Sequence, residues 1–218
     1  MIAIPSIGVN PSMLLRVIAL ASAFTLLGAS AQAAEELSPA LLAYIATPEH
    51  RAAVMSAVRP YFAFIPSCAT GVAKRIALRV TSPVSFDATG ALSSGSWIEG
   101  VKVEGCTTSG LFNVLTMARD GAPPRVGGLL PGATRAAFEL QRDALPTARS
   151  FAASKIPGGC GELHVIDTSF EGFGAAGNPD LPAESWRERW TFSGCGQQTT
   201  VTMRFTPDQT GTSFIAGS

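Results

Sequence analysis

Two glutamates are the residues whose setting could support chemistry. Ser96-Trp97-Ile98-Glu99 and Ser185-Trp186-Arg187-Glu188 are the same S-W-x-E quartet, and each runs through five residues to Gly-Cys, at Gly105-Cys106 and Gly194-Cys195. Side chains alternate along a strand, so Trp97 and Glu99 share a face with Val101 and Val103, and Glu188 shares one with Trp186, Trp190 and Phe192. A carboxylate on an apolar face is costly unless it is paired or hydrogen-bonded. Two roles answer that cost. In the first, each glutamate lies at a sheet margin, takes an arginine or a backbone N–H as partner, and fixes the strand register. In the second, burial raises the carboxyl pKa in an aromatic-lined pocket. Two such groups related by pseudo-symmetry could then suggest acid–base hydrolysis of a glycan. Trp97, Glu99, Trp186, Glu188 and Trp190 are therefore candidate binding residues, and no residue is assigned a catalytic role.

The opposite face of the second motif carries Arg187 and Arg189, which Arg204 joins from the next strand. With Thr191 and Thr202 they form a candidate basic patch for anionic headgroups or an acidic partner. The chain has two histidines: His50 is expected to be exposed in the first turn of a helix, and His164 lies on a strand. No H-x-x-x-H or Cys/His cluster is present, so no metal or other cofactor is expected. There is no G-x-S-x-G elbow and no C-x-x-C redox pair. Gly158-Gly159-Cys160-Gly161 follows a helix instead of opening one, unlike a phosphate-cradling loop. Sixteen basic residues balance sixteen acidic ones, which argues against a nucleic-acid binder needing a basic stripe.

The elements that must position these residues repeat. Ile65-Pro66-Ser67-Cys68 is echoed by Ile156-Pro157-Gly158-Gly159-Cys160, and Leu37-Ser38-Pro39-Ala40 by Leu129-Leu130-Pro131-Gly132. Three matches in one order at a nearly constant offset indicate an internal duplication, with units at 34–128 and 129–218. Ser38-Pro39 and Thr47-Pro48 read as helix starts, a cap followed by proline. Val54, Met55, Val58, Tyr61 and Phe62 form one apolar stripe. In the second unit a helix is expected from about Ala133 to Leu145, broken by Pro146, with a short one through Phe151. After each Ile-Pro the period becomes two: Ile76, Leu78 and Val80 alternate with Arg75, Arg79 and Thr81. Third strands follow at about Leu111–Ala118 and Thr199–Phe205, and short fourth strands near Val126–Leu130 and Gly211–Ala216. The expected fold class is α+β: two tandem repeats, each helices followed by a three- to four-stranded antiparallel meander, packed as one sheet or two small sheets.

Export decides how the four cysteines read. Arg16 precedes the apolar run Val17 to Leu27, then Ala31-Gln32-Ala33, which is the pattern of a signal peptide over residues 1–33 cleaved before Ala34. Residues 1–12 carry no basic charge, so the start is Met1 or Met13. The run is too short to span a bilayer, so no transmembrane segment is expected in the mature chain. An exported protein with four cysteines reads as disulfide-bonded, with three pairings open. A bridge across the base of a hairpin has its sequence midpoint at the turn. For Cys68 and Cys106 that midpoint is Asp87, in Asp87-Ala88-Thr89-Gly90; for Cys160 and Cys195 it lies in Gly177-Asn178-Pro179-Asp180. The expected pairs are Cys68–Cys106 and Cys160–Cys195.

From Ser185 to Trp190, through Gly194-Cys195-Gly196 and on to Met203, Phe205, Pro207-Asp208 and Gly211-Thr212, the last 40 or so residues resemble a group of small secreted proteins of Gram-negative bacteria of uncharacterised activity. The resemblance implies an envelope setting and no activity. The first unit departs from the pattern, with Val101 in place of the second tryptophan. The expected function is a periplasmic or secreted, non-catalytic binding or interaction module, with an envelope protein or an apolar ligand as partner. A secreted hydrolase using Glu99 and Glu188, or a small lipid carrier, is the alternative.

Overall fold

Ser38 and Thr47 each stand before a proline, and each caps a helix. Ser38 Oγ accepts the Leu41 N–H and Thr47 Oγ1 the His50 N–H, opening α1 (Pro39–Ile45) and α2 (Pro48–Val58). A 3-10 turn follows over Arg59–Ala63. The computed structural model describes residues 37–65, 73–119, 121–174 and 182–217. Cys68, the turn at Gly177–Asp180 and the leader at 1–33 lie outside the described residues.

Four strands then form an antiparallel meander: β1 (Ala73–Phe86), β2 (Leu92–Val103), β3 (Leu111–Arg119) and β4 (Ala122–Gly128). The β1–β2 turn is built on Asp87, whose carboxylate accepts the Thr89 hydroxyl and the N–H groups of Ala91 and Thr89. Those bonds hold its pKa below the ordinary aspartate value. After α3 (Phe138–Ser154) comes a second meander: β5 (His164–Phe173), β6 (Trp186–Gly194), β7 (Gln197–Asp208) and β8 (Gly211–Gly217). The fold is α+β with two separate four-stranded antiparallel sheets. Among the described residues no helix is long and apolar enough to cross a membrane.

Local structure departs from the expected pattern at two places. Pro146 does not break a helix, because α3 is continuous through it. Buried Gln141, Ala144, Ala148 and Ala152 define the packed side of α3, and Pro146 is exposed on the other. The carbonyl it leaves without an N–H can therefore be solvated. The helix also starts later than expected, at Phe138, because residues 133–137 are used elsewhere. The second departure is a bulge in β1 between Arg75 and Ala77. The extra residue breaks the two-residue alternation, leaving Ile76 55% exposed and putting Arg75 on the side of Leu78.

Each helix covers one stretch of sheet. Leu41 and Ile45 of α1 bury Trp97, while Val54 and Val58 of α2 bury Val101, Val103, Phe112 and Val114. The alanines of α3 bury Trp190, Phe192, Val201, Met203 and Phe205. Ile166 of β5 packs in the core of the first sheet. The connecting segment is bonded to both sheets: Gly132 N–H donates to Leu111 O and Ala133 N–H to Thr168 O. Gly132 has φ +91°, and a Cβ there would stand 2.2 Å from Thr168 O, so the close crossing needs glycine.

Cys160 and Cys195 form a disulfide with Cα atoms 6.1 Å apart, as the turn-midpoint argument requires. Cys195 and Gly196 are the two central residues of the β6–β7 hairpin, both at positive φ (50° and 71°), as a type I′ turn demands. Cys106 is also disulfide-bonded.

Candidate functional site

The two glutamates are brought to the same place in their sheets and to different surroundings. Glu99 lies on β2 and Glu188 on β6, each on the second strand of its sheet rather than at a margin, and both are buried. In each, the tryptophan two residues earlier donates its indole N–H to the carboxylate: Trp97 to Glu99 at 3.1 Å, Trp186 to Glu188 at 2.9 Å.

Glu188 is enclosed by the chain itself. Besides Trp186, it accepts the Trp190 indole (2.9 Å), the Thr134 hydroxyl (2.7 Å) and the backbone N–H groups of Arg135 (2.7 Å) and Ala136 (3.3 Å). None of these donors carries a charge. The carboxylate thus shapes the approach to α3, which explains why residues 133–137 are not helical. Gln141 completes that corner, donating to Ala136 O and accepting the Leu130 N–H.

Glu99 is held by side chains. His50 Nε2 lies 2.5 Å from Oε1, and Arg75 Nη1 lies 3.1 Å from Oε2 while also donating to Ile45 O. Burial is the largest single influence on Glu99 and pushes its pKa up. The hydrogen bonds of His50 and Trp97, the His50 charge and the Arg75 hydrogen bond together outweigh it and hold the pKa below the ordinary value. The expectation of a raised pKa is therefore corrected: an aromatic wall does not protonate a carboxylate that has three donors. An ionised Glu99 accepts only, which places a proton on His50 Nε2. Among the described residues the buried Nδ1 has no partner. The Tyr44 ring packs on His50 at 5.1 Å, and burial, then the Glu99 charge, raises its phenol pKa.

His50 was expected in solvent and is 3% exposed. The signal was present: His50, Val54 and Val58 stand at i, i+4 and i+8, so the histidine belongs to the buried stripe of α2. Arg75 was missed because the bulge at Ile76, which no local composition announces, reverses its face.

Beside Glu99 opens a cleft of about 550 Å³. α2 contributes His50, Arg51, Val54 and Met55 to its lining, and the strands contribute Ala73, Lys74, Arg75 and Val101. Arg51 and Lys74 are exposed, and among the described residues neither has an ion-pair partner. Glu188 is fully buried and lines neither the cleft between α3 and β8 nor the one beside β4. Paired-carboxylate hydrolysis needs two groups flanking one bond. Glu99 and Glu188 sit in different sheets and, among the described residues, share no hydrogen-bond partner.

The basic patch assembles in part. Arg187 and Arg204 are direct cross-strand neighbours, whereas Arg189 is ion-paired with Glu171 of β5. His164 stacks on Phe64 with ring centroids 3.5 Å apart. Among the described residues no group of three or more His, Cys, Asp or Glu could hold a metal ion.

The ion pair of Glu99 makes stability depend on acid. The unfolded carboxyl protonates near the ordinary value of about 4.3, whereas the folded one resists to lower pH. The contribution is thus complete above the unfolded pKa and is lost as pH falls through the depressed folded value. Urea midpoints measured from pH 6 downward should fall for the wild type, and more shallowly for Glu99→Gln. Parallel slopes would remove Glu99 from the acid response.

Compared with known proteins, the chain matches no protein-family profile, no curated protein and no solved structure.

Proposed function

We propose that this is an exported, disulfide-stabilised, non-catalytic binding module made by internal duplication, in which the first unit (34–128) holds a small molecule and the second (129–218) serves as scaffold. One observation carries the assignment: the same Trp-x-Glu pair is closed over by the chain's own loop in the second sheet and stands beside an open cleft in the first. A non-catalytic role fits the chemistry of the site. The carboxylate is occupied by three donors, and the His50 Nδ1, without a partner among the described residues, is shut away from solvent. No serine, threonine or cysteine is among the described residues lining the cleft.

The registers support duplication. Glu99 pairs with Val114 and Glu188 with Met203, while Trp97 pairs with Thr116 and Trp186 with Phe205, with equal chain separations in the two sheets. Export is supported by the basic-apolar-small pattern before Ala34 and by the disulfides, which persist in oxidising compartments. The likeness of the C-terminal 40 residues to secreted Gram-negative proteins favours the periplasm. Native mass spectrometry of the protein isolated from the periplasm tests the reading. A small-molecule adduct released on denaturation is expected; a complex with another polypeptide and no small molecule would replace it with an interaction module.

A further inference from the structure

We infer that the cleft beside Glu99 takes an amphipathic anion, a carboxylate or phosphate monoester head on an apolar body. This rests on the reading of the cleft as the binding site and names its ligand class. One cross-strand pair next to the glutamates differs between the two sheets in where its bulk lies. In the second sheet Trp190 faces Val201; at the matching place in the first, Val101 faces Phe112. Large and small have exchanged strands. Trp190 fills the space next to Glu188 and gives it an indole N–H, whereas Phe112 carries its bulk toward β3, where it is 1% exposed. The β1 side of Glu99 is left open, and the donor a tryptophan would have supplied comes from Arg75.

The lining sorts into two zones. Val54, Met55, Ala73 and Val101 are apolar. Arg51 and Lys74 are unpaired cations among the described residues, and Arg75 keeps a third of its side chain exposed while holding Glu99. Among the described residues the one acid in the lining, Glu99, is already ion-paired with Arg75, so the cleft presents net positive charge beside an apolar wall. A neutral lipid would leave the cations unanswered, and a bare inorganic anion would leave the wall in water. A volume of about 550 Å³ falls in the range of small-molecule pockets.

Isothermal titration with decanoate, decanol and inorganic phosphate tests this. Decanoate should bind, with decanol and phosphate each at least tenfold weaker. R51E/K74E changes two exposed side chains and should weaken decanoate at least tenfold while leaving decanol unchanged. V101W/F112V copies the pair of the second sheet into the first and should abolish decanoate binding, with circular dichroism confirming the fold. Equal affinity for decanol and decanoate, with both lost in V101W/F112V, would overturn the anionic class and keep the site. Decanoate binding unaltered in V101W/F112V would overturn the site itself.

Discussion

Glu188→Ala should cost about 4 kcal/mol of stability, the largest loss expected from a single substitution. The carboxylate accepts five hydrogen bonds in a fully buried position. Its removal strands the Arg135 N–H, two indoles and a hydroxyl, while the Ala136 N–H keeps its bond to Thr134 Oγ1, and a buried donor left without a partner costs about 1–3 kcal/mol. Relaxation and entering water recover part of the sum. Urea melts check the value, with the loss appearing as a lower midpoint at unchanged slope. If the alanine variant does not fold, Glu188→Gln keeps the shape but presents an amide N–H to donors. It should lose about 2–3 kcal/mol. Glu99→Gln should cost less than Glu188→Gln, because Arg75 can turn toward solvent whereas the backbone and indole donors to Glu188 are held by the fold. A larger loss at Glu99 would reverse the assignment of scaffold and site.

Replacing both Cys160 and Cys195 by alanine should lower stability by about 4 kcal/mol. The bridge closes a separation of 35 residues, and the chain-entropy cost of leaving such a loop open is of that size. The bridge ties the entry of β5 to the β6–β7 turn, so its loss should first free the end of the second sheet. Hydrogen exchange should then rise in Leu163–Val165 and Ser193–Gln198 before it rises in β2 and β3. Peptide mapping without reduction should recover Cys160 linked to Cys195. A Cys68–Cys160 peptide would contradict the pairing.

Local rules carried much of the fold and less of the site. The caps at Ser38 and Thr47, the alternation of Trp97 to Val103 and Trp186 to Phe192, and the Asp87 turn all follow from short-range chemistry that the sequence states directly. The Cys160–Cys195 pairing also followed, since a hairpin places its bridge symmetrically about its turn. What was not legible depends on distant contacts. The bulge at Ile76 turns Arg75 inward, and only the presence of Glu99 on the neighbouring strand gives that turn a purpose. Proline at 146 reads as a helix breaker until α3 is seen to expose that side to water. Residues 133–137 have helical composition, yet Glu188, more than fifty residues away, bonds their N–H groups in another conformation. His50 lies between these cases: its i+4 relation to Val54 was readable, but its carboxylate partner was not.

The three tryptophan indole N–H groups report both glutamates, since Trp97 donates to Glu99 and Trp186 and Trp190 donate to Glu188. Their proton–nitrogen NMR signals, assigned with single Trp→Phe variants and followed during titration with decanoate, test the central claim directly. The first-sheet site predicts that the Trp97 signal moves in a saturable way while those of Trp186 and Trp190 stay in place. Movement of Trp186 and Trp190 with Trp97 unmoved would place binding in the second sheet and contradict it.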